Sequence, residues 1–256
     1  MPAPQGTKRV KSIRVARPFI VGSQAWALDE SNKPEGTPAD HSKGWKVYVK
    51  GIENGPDITT WLKKVQFKLH HTYANNTRTV ESPPFEIHET GWGGFQVEIR
   101  LFFVPEANEK PQWRTHLLQL EPYGTDAEIQ AQKEKNLVVS EICEMVDFNE
   151  PVEPFYAKLT SEAQWAYMDK GKAKGKNRQG QAWVPKEERT AQLPERSTPT
   201  NPFSKETEAA MLDMLRKATD KVHVMIEEEK QAAAERAKGI KSLQDSGDWP
   251  QPSRKR

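Results

Sequence analysis

Two short stretches carry the residues from which a recognition chemistry can be built. ETGWGGF, residues 89–95, sets Trp92 among Gly91, Gly93 and Gly94, and FKLHHTYAN, residues 67–75, places His70, His71, Thr72 and Tyr73 at the end of an alternating apolar run. Indole is among the largest apolar groups a chain can bury, and glycine lets backbone approach another group most closely. Tyr73 and Trp92 supply two aromatic faces, Thr72 a hydroxyl, His70 a ring able to orient it, and the glycine-bordered loop accessible amides. With the rings on either side of a narrow gap, a flat amide fills it better than a round group. The Thr72 hydroxyl and the backbone amide of Trp92 then seek a carbonyl acceptor.

An acylated lysine has both the plane and the carbonyl, whereas an unmodified lysine has three donors and no acceptor. Cation–π contact favours the bare ammonium by about 0.5–2 kcal/mol. Stripping its water and leaving the facing donors unpaired costs more than that. A donor-lined aromatic slot therefore selects against charge. A plainer reading stands beside this one: a tryptophan among glycines also suits a core residue at a tight turn, and ETGWGGF alone does not separate the two.

The elements that must position these residues read as strands. Trp45, Val47 and Val49 share one face of WKVYVK (45–50), Val65, Phe67 and Leu69 one face of KKVQFKLHH (63–71), and FQVEIRLFFV (95–104) alternates through Val97, Ile99 and Leu101. IRVARPFIV (13–21), FEIH (85–88), HLLQL (116–120) and LVVSEICEMVDF (137–148) bring the total to seven or eight short strands. Breakers rich in Gly, Pro and Asn separate them, such as NKPEGTPADHSKG (32–44) and ANNT (74–77). The expected fold is mostly β, an immunoglobulin-like antiparallel sandwich over about 10–160, with Phe67, Leu69, Val97, Ile99 and Leu101 in its core. The FKLHHTYAN stretch then lies at the rim, where sandwiches keep binding loops.

Beyond the sandwich the composition changes. Residues 161–202 read as a polar, disordered linker, within which Lys170, Lys172, Lys174, Lys176 and Arg178 make a basic run. That run suits a nuclear import signal, a weak nucleic-acid phosphate contact, or a solvated spacer. From 203 to 240 the pattern is helical and coiled-coil-like, with Ser204 as a loose N-cap and a stripe of Met211, Leu212, Leu215, Ala218, Val222, Met225 and Ile226. The stripe is expected to dock on a helix of another subunit. Residues 241–256 read as a disordered tail.

Composition excludes several classes. Only 35% of residues are hydrophobic and 29% are charged, so part of the chain must stay solvated without a core of its own. A formal charge of +2 argues against a bulk polycation that binds nucleic acid everywhere. One cysteine, Cys143, excludes an internal disulfide framework, fits a reducing compartment, and is expected as a small buried hydrophobe. No apolar run suits a membrane span or a signal peptide, so a soluble, unexported protein without membrane partners is expected. His70 and His71, adjacent on a strand, are expected to face opposite ways and so not to chelate one metal; no HExxH or cysteine cluster is present, and no metal or cofactor is expected. No nucleophile and base stand at a recognisable spacing, so no enzymatic activity is expected. Trp26, Trp61 and Trp165 remain open between core and interface.

Taken in order, HSKGWKVYVKG (41–51), FKLHHTY (67–73), SPPFEIHETGWGGF (82–95), LEPYG (120–124) and VDFNEPVEPFY (146–156) resemble the YEATS domain over about residues 10–160. The resemblance implies a reader of acetylated and crotonylated lysines on histone tails. By it, Tyr73 and Trp92 sandwich the acyl amide, Thr72 bonds that amide, and the Trp92 backbone amide donates to its carbonyl. His70 supports the pocket, His41 lines it from the first loop, Phe95 forms the far wall, and Gly93 and Gly94 let the loop pass close to the acyl tip. The slot is open at its far end in this family, which implies room for longer planar acyl groups. Lys43, where a second histidine of the first loop is expected, and WRTH (113–116) depart from the family pattern and bear on contacts to the flanking peptide. The helix after a basic linker is similar to fungal members that serve as a non-catalytic nuclear subunit shared by a histone acetyltransferase complex and an ATP-driven remodeller. The alternative is a scaffold that assembles a chromatin complex mainly through that helix.

Overall fold

The computed structural model describes residues 8–169 and 189–246 and divides the chain into two units, 1–194 and 195–256. In the first unit, eight antiparallel strands form two four-stranded sheets. One sheet has the order β5-β2-β1-β8, from β1 (Arg14–Ala27), β2 (Lys43–Gly51), β5 (Phe85–Gly91) and β8 (Val138–Asn149). The other has the order β4-β3-β6-β7, from β3 (Leu62–Lys68), β4 (Thr77–Val80), β6 (Gln96–Phe103) and β7 (Gln112–Leu117). This is the expected immunoglobulin-like sandwich.

Alternation explains why these segments are strands. Along β6 every second side chain, Val97, Ile99, Leu101 and Phe103, is buried, while Glu98, Arg100 and Phe102 face outward. Val65 and Phe67 of β3, beside β6 in the same sheet, and Trp45, Val47 and Val49 of β2 in the other sheet belong to the same core. Trp61 packs edge-on to Phe19 at 5.6 Å and to Phe148 at 6.2 Å, and each such buried aromatic contributes roughly 1.5–3 kcal/mol. All five core residues expected from periodicity are buried.

Register then gathers three loops at one end. Lys68, the last residue of β3, pairs with Glu98 near the start of β6, and Lys43, the first of β2, pairs with Gly91, the last of β5. The segments 28–42, 69–76 and 92–95 consequently meet at the same rim of the sandwich.

Several local readings are corrected. β1 extends to Ala27 and includes the half-buried Trp26, and β4 forms just after ANNT, where no strand was expected. A helix, α1 (Asp126–Lys135), begins at a capping box between Thr125 and Glu128; it buries no residue, so no apolar period announced it. Cys143 on β8 is only partly buried. Trp61 belongs to the main core, and Trp165 to a small cluster with Met168.

The linker was expected to start at 161, yet its first residues are packed. After α2 (Glu153–Thr160), which buries Phe155 and Leu159, a 3-10 turn (Glu162–Trp165) and α3 (Ala166–Asp169) follow. The buried Arg17 guanidinium donates to the Leu159 carbonyl and to Gln164, and the Tyr167 hydroxyl donates to the Gly55 carbonyl at 2.6 Å. Elements of four residues are too short to show a period, which is why the sequence hid them. The basic run at 170–178 lies outside the described residues.

In the second unit, α4 (Lys205–Asp245) is a helix of 41 residues, about 60 Å long. Ser204 caps it by accepting the Thr207 amide at 3.1 Å, and Glu206 and Glu208 sit in the first turn, where the helix dipole favours them. Met211, Leu215, Val222 and Met225 are all more than half exposed. Among the described residues no helix is long and apolar enough to cross a membrane.

Candidate functional site

Beyond Lys68 the chain leaves the ladder and turns back. Leu69 donates its amide to the Asn76 carbonyl at 2.7 Å, and Tyr73 donates to the His70 carbonyl at 3.1 Å, so residues 70–73 form a tight turn that brings the phenol over the core. Tyr73 packs edge-on to Trp45 (5.8 Å) and tilted against Phe95 (5.5 Å), and its hydroxyl donates to the Thr90 carbonyl at 3.1 Å. Half-burial raises its pKa, so the phenol stays a neutral donor.

Because β3 has ended, strand alternation does not govern His70 and His71. Their rings lie 4.1 Å apart rather than on opposite faces, which corrects the expectation above. Among the described residues no group of three or more His, Cys, Asp or Glu side chains is placed to hold a metal ion.

The loop after β5 comes up against this turn. A Cβ on Gly91 would stand 2.5 Å from the Tyr73 hydroxyl, and one on Gly94 2.5 Å from the Leu118 carbonyl, so these two glycines permit the packing of the loop itself. A Cβ on Gly93 would meet nothing within 4 Å, so that position faces open space. Trp92 between them is 70% exposed, and among the described residues no other aromatic ring packs against it. Leaving that much indole in water forgoes roughly 3 kcal/mol of burial. The plainer reading of Trp92 as a core residue is thereby excluded. Its backbone N–H follows the last residue of β5 and has no acceptor among the described residues.

Two histidine–threonine pairs frame the gap. His70 Nδ1 lies 3.0 Å from Thr72 Oγ1, and His41 Nδ1 lies 2.8 Å from Thr90 Oγ1. If the imidazole Nδ1 carries the proton it donates to the hydroxyl, which then offers its own proton outward; in the other tautomer the hydroxyl proton is taken and the oxygen is left as an acceptor. Phe95 closes the floor, 6.0 Å from His70 and 5.8 Å from Trp45.

All eight residues singled out from the sequence, His41, His70, Thr72, Tyr73, Trp92, Gly93, Gly94 and Phe95, line one cavity of about 1230 Å³. Sequence reasoning missed others. Thr90 holds both His41 and Tyr73, and its place inside HETGWGG was the available signal. Arg78 of β4 pairs with Glu89 of β5 and donates to the carbonyls of Asn75 (3.2 Å) and Ala74 (3.3 Å), which ties the 69–76 loop to the other sheet. No motif marks it, because its partners are distant in sequence. Of the departures in flanking positions, Lys43 pairs with Glu121 at 3.1 Å, and His116 is buried with Nε2 2.9 Å from the Ser23 hydroxyl.

Comparison with known proteins supplies the family. The YEATS family matches residues 40–122. A protein AF-9 homolog of Emericella nidulans is 47% identical over 256 residues, covering 100% of this chain and 92% of the relative. One of Schizosaccharomyces pombe is 46% identical over 152 residues, 59% of this chain and 69% of the relative. The crystal structure of the Yaf9 YEATS domain bound to H3K27ac is similar at 41% identity and a TM-score of 0.52, covering 60% of this chain and 99% of that one. The crystal structure of the yeast AF-9 homolog protein Yaf9 aligns at 42% identity and a TM-score of 0.51, covering 59% and 94%. With its sandwich, its rim of paired histidines and threonines, and a relative that it matches along its whole length, the chain belongs to the YEATS family.

Proposed function

We propose that this protein is a non-catalytic reader of acylated lysine on histone tails, acetyl or crotonyl, which it holds between Tyr73 and Trp92. The observation that carries the reading is the exposed Trp92 indole, which lines the same cavity as an anchored, neutral Tyr73. The Thr72 hydroxyl and the free Trp92 amide are the donors for the acyl carbonyl, with His70 setting the direction of the hydroxyl. An ammonium between the two rings meets the Thr72 and Trp92 donors, and Glu89, the carboxylate nearest Tyr73, is already paired with Arg78, so the ammonium's lost hydration is poorly replaced. The related Yaf9 YEATS domain bound to H3K27ac supports the choice of ligand class.

The exposed stripe of α4 favours a second role in the same protein, that of attaching the reader to other subunits of a chromatin-modifying complex by a coiled coil. Histone acetyltransferase and ATP-dependent remodelling complexes in the nucleus are the proposed setting, with the basic run at 170–178 adding at most a weak nucleic-acid contact. Attachment raises the effective concentration of a slot whose single-site affinity is modest. In the alternative, the helix is the whole function and the protein is a scaffold.

The test is a titration of the protein with acetylated, crotonylated and unmodified histone peptides, repeated with Trp92→Ala. Acylated peptides are expected to bind, unmodified ones not measurably, and the substitution to abolish binding without moving the thermal midpoint by more than about 2 °C, since the side chain has little packing to lose. Full binding by the Trp92→Ala protein overturns the slot; no binding of any acylated peptide leaves the scaffold reading.

A further inference from the structure

The cavity is larger than the slot. Drug-sized ligands fill clefts of about 300–1,000 Å³, and one acylated lysine side chain is smaller than these, against about 1230 Å³ here. The remaining space runs past His41 and Gly44 to Trp26 and the loop carrying Glu35 and Asp40.

Trp26 is placed there by the sheet. Trp26, Gly44 and Thr90 are successive partners in one row across β1, β2 and β5. The indole lies directly over Gly44, where a Cβ would be 2.4 Å from its Nε1, so any side chain at 44 displaces it. Trp26 is partly buried and lines the cavity together with Glu35 and Asp40. The loop above is held in shape, with Asp29 accepting the amides of Ser31 (2.8 Å) and Asn32 (3.1 Å) and the Thr37 amide bonding the Pro34 carbonyl at 3.2 Å.

The charges of this half are unbalanced. Glu89 is matched by Arg78, the one Arg or Lys among the described residues that line the cavity, while Glu35 and Asp40 have no ion-pair partner among the described residues. An indole lining a cavity with unmatched carboxylates attracts a cation, the opposite of what the donor-lined slot accepts. Two strand spacings of about 4.8 Å separate Trp26 from Thr90, which frames the slot, and an extended peptide advances about 3.3 Å per residue.

We propose that Trp26, with Asp40 and Glu35, is a second subsite, which takes an arginine or lysine side chain two or three residues from the acylated lysine of the same peptide. The proposal rests on the acyl-lysine reading and adds a requirement on the flanking sequence. A cation at that spacing selects a peptide that is neutral at one point and basic a short step away.

The experiment titrates the full chain with acetyl-lysine peptides that are otherwise uncharged, carrying one arginine moved stepwise outward on either side. Arginine two or three residues away on one side is expected to tighten binding about fivefold over the arginine-free peptide, with the gain shrinking as salt is raised. Trp26→Ala is expected to remove that gain and leave the arginine-free peptide within about twofold of the original affinity. Asp40→Asn, an exposed substitution without folding risk, is expected to remove part of it. Equal binding at every arginine position overturns the subsite, as does an equal loss for both peptides in Trp26→Ala, which assigns the indole a purely supporting role. In both cases the slot stands; failure of all acetylated peptides to bind removes the slot and the subsite together.

Discussion

The rim of the sandwich and the helix α4 both leave large apolar side chains in water, and they do so in different ways. At the rim of the sandwich a single indole, Trp92, stands in a frame whose other members are fixed: Tyr73 by Thr90, Trp45 and Phe95, Thr72 by His70, and the loop by Arg78 and Glu89. Along α4 a whole stripe from Met211 to Ile226 is exposed on a helix whose hydrogen bonds are almost all its own. The rim is organised before a ligand arrives, so a small group can be bound with little ordering cost. The helix has propensity, the Ser204 cap and surface ion pairs such as Asp213–Lys217 to hold it, and its stripe calls for a partner of similar length.

Tyr73 and Trp92, the two walls of the proposed slot, should respond differently to truncation. Tyr73→Ala and Trp92→Ala are both expected to weaken acyl-peptide binding at least thirtyfold, but only Tyr73→Ala removes ring contacts with Trp45 and Phe95. Its thermal midpoint should fall by several degrees, corresponding to about 2–4 kcal/mol for a partly buried aromatic, while that of Trp92→Ala stays put. Equal midpoints in calorimetry would mean that the two walls are not built differently.

A peptide spanning 203–246 tests the other region. Alone at micromolar concentration it is expected to show well under full helicity by circular dichroism, since isolated helices depend on partners for most of their stability. Removing the same residues from the protein should leave peptide affinity within about twofold, because every residue of the slot belongs to the first unit. A fully helical, monomeric peptide would make α4 self-sufficient and erase the contrast.

The smallest expected effect concerns pH. Burial lowers the pKa of His116 below its ordinary value, so the unfolded chain binds a proton that the folded one resists. The stability tied to this ring is complete above the unfolded pKa of about 6.5 and declines as pH falls from there toward the folded value. His116→Gln should flatten the slope of thermal midpoint against pH between about 5 and 7, whatever it does to the midpoint itself. An unchanged slope would show that the ring carries no such linkage.

Much of this was legible in the chain before it folded. Alternation identified the core of β2, β3 and β6, since a period of two survives wherever one face is buried. Motif chemistry together with the family resemblance picked out residues that the fold brings to one cavity, because Tyr73, Thr72 and His70 fall within four residues of one another and Trp92 stands between glycines. Elements without a period stayed hidden: α1 has no buried face, α3 is a single turn, and β4 is four residues long.

What the sequence determined by itself is which residues are polar, aromatic or flexible, and therefore which chemistries can be assembled and which are excluded. Tertiary structure decided distance. The register of β2 with β5 and of β3 with β6 carries His41, Tyr73 and Trp92 to one rim, and it lays Trp26 over Gly44 in the row that ends at Thr90. Such placements depend on pairings between strands far apart in the chain, which no local pattern encodes. For the same reason ETGWGGF by itself left Trp92 between core and surface: whether an indole is buried depends on what the rest of the fold brings next to it.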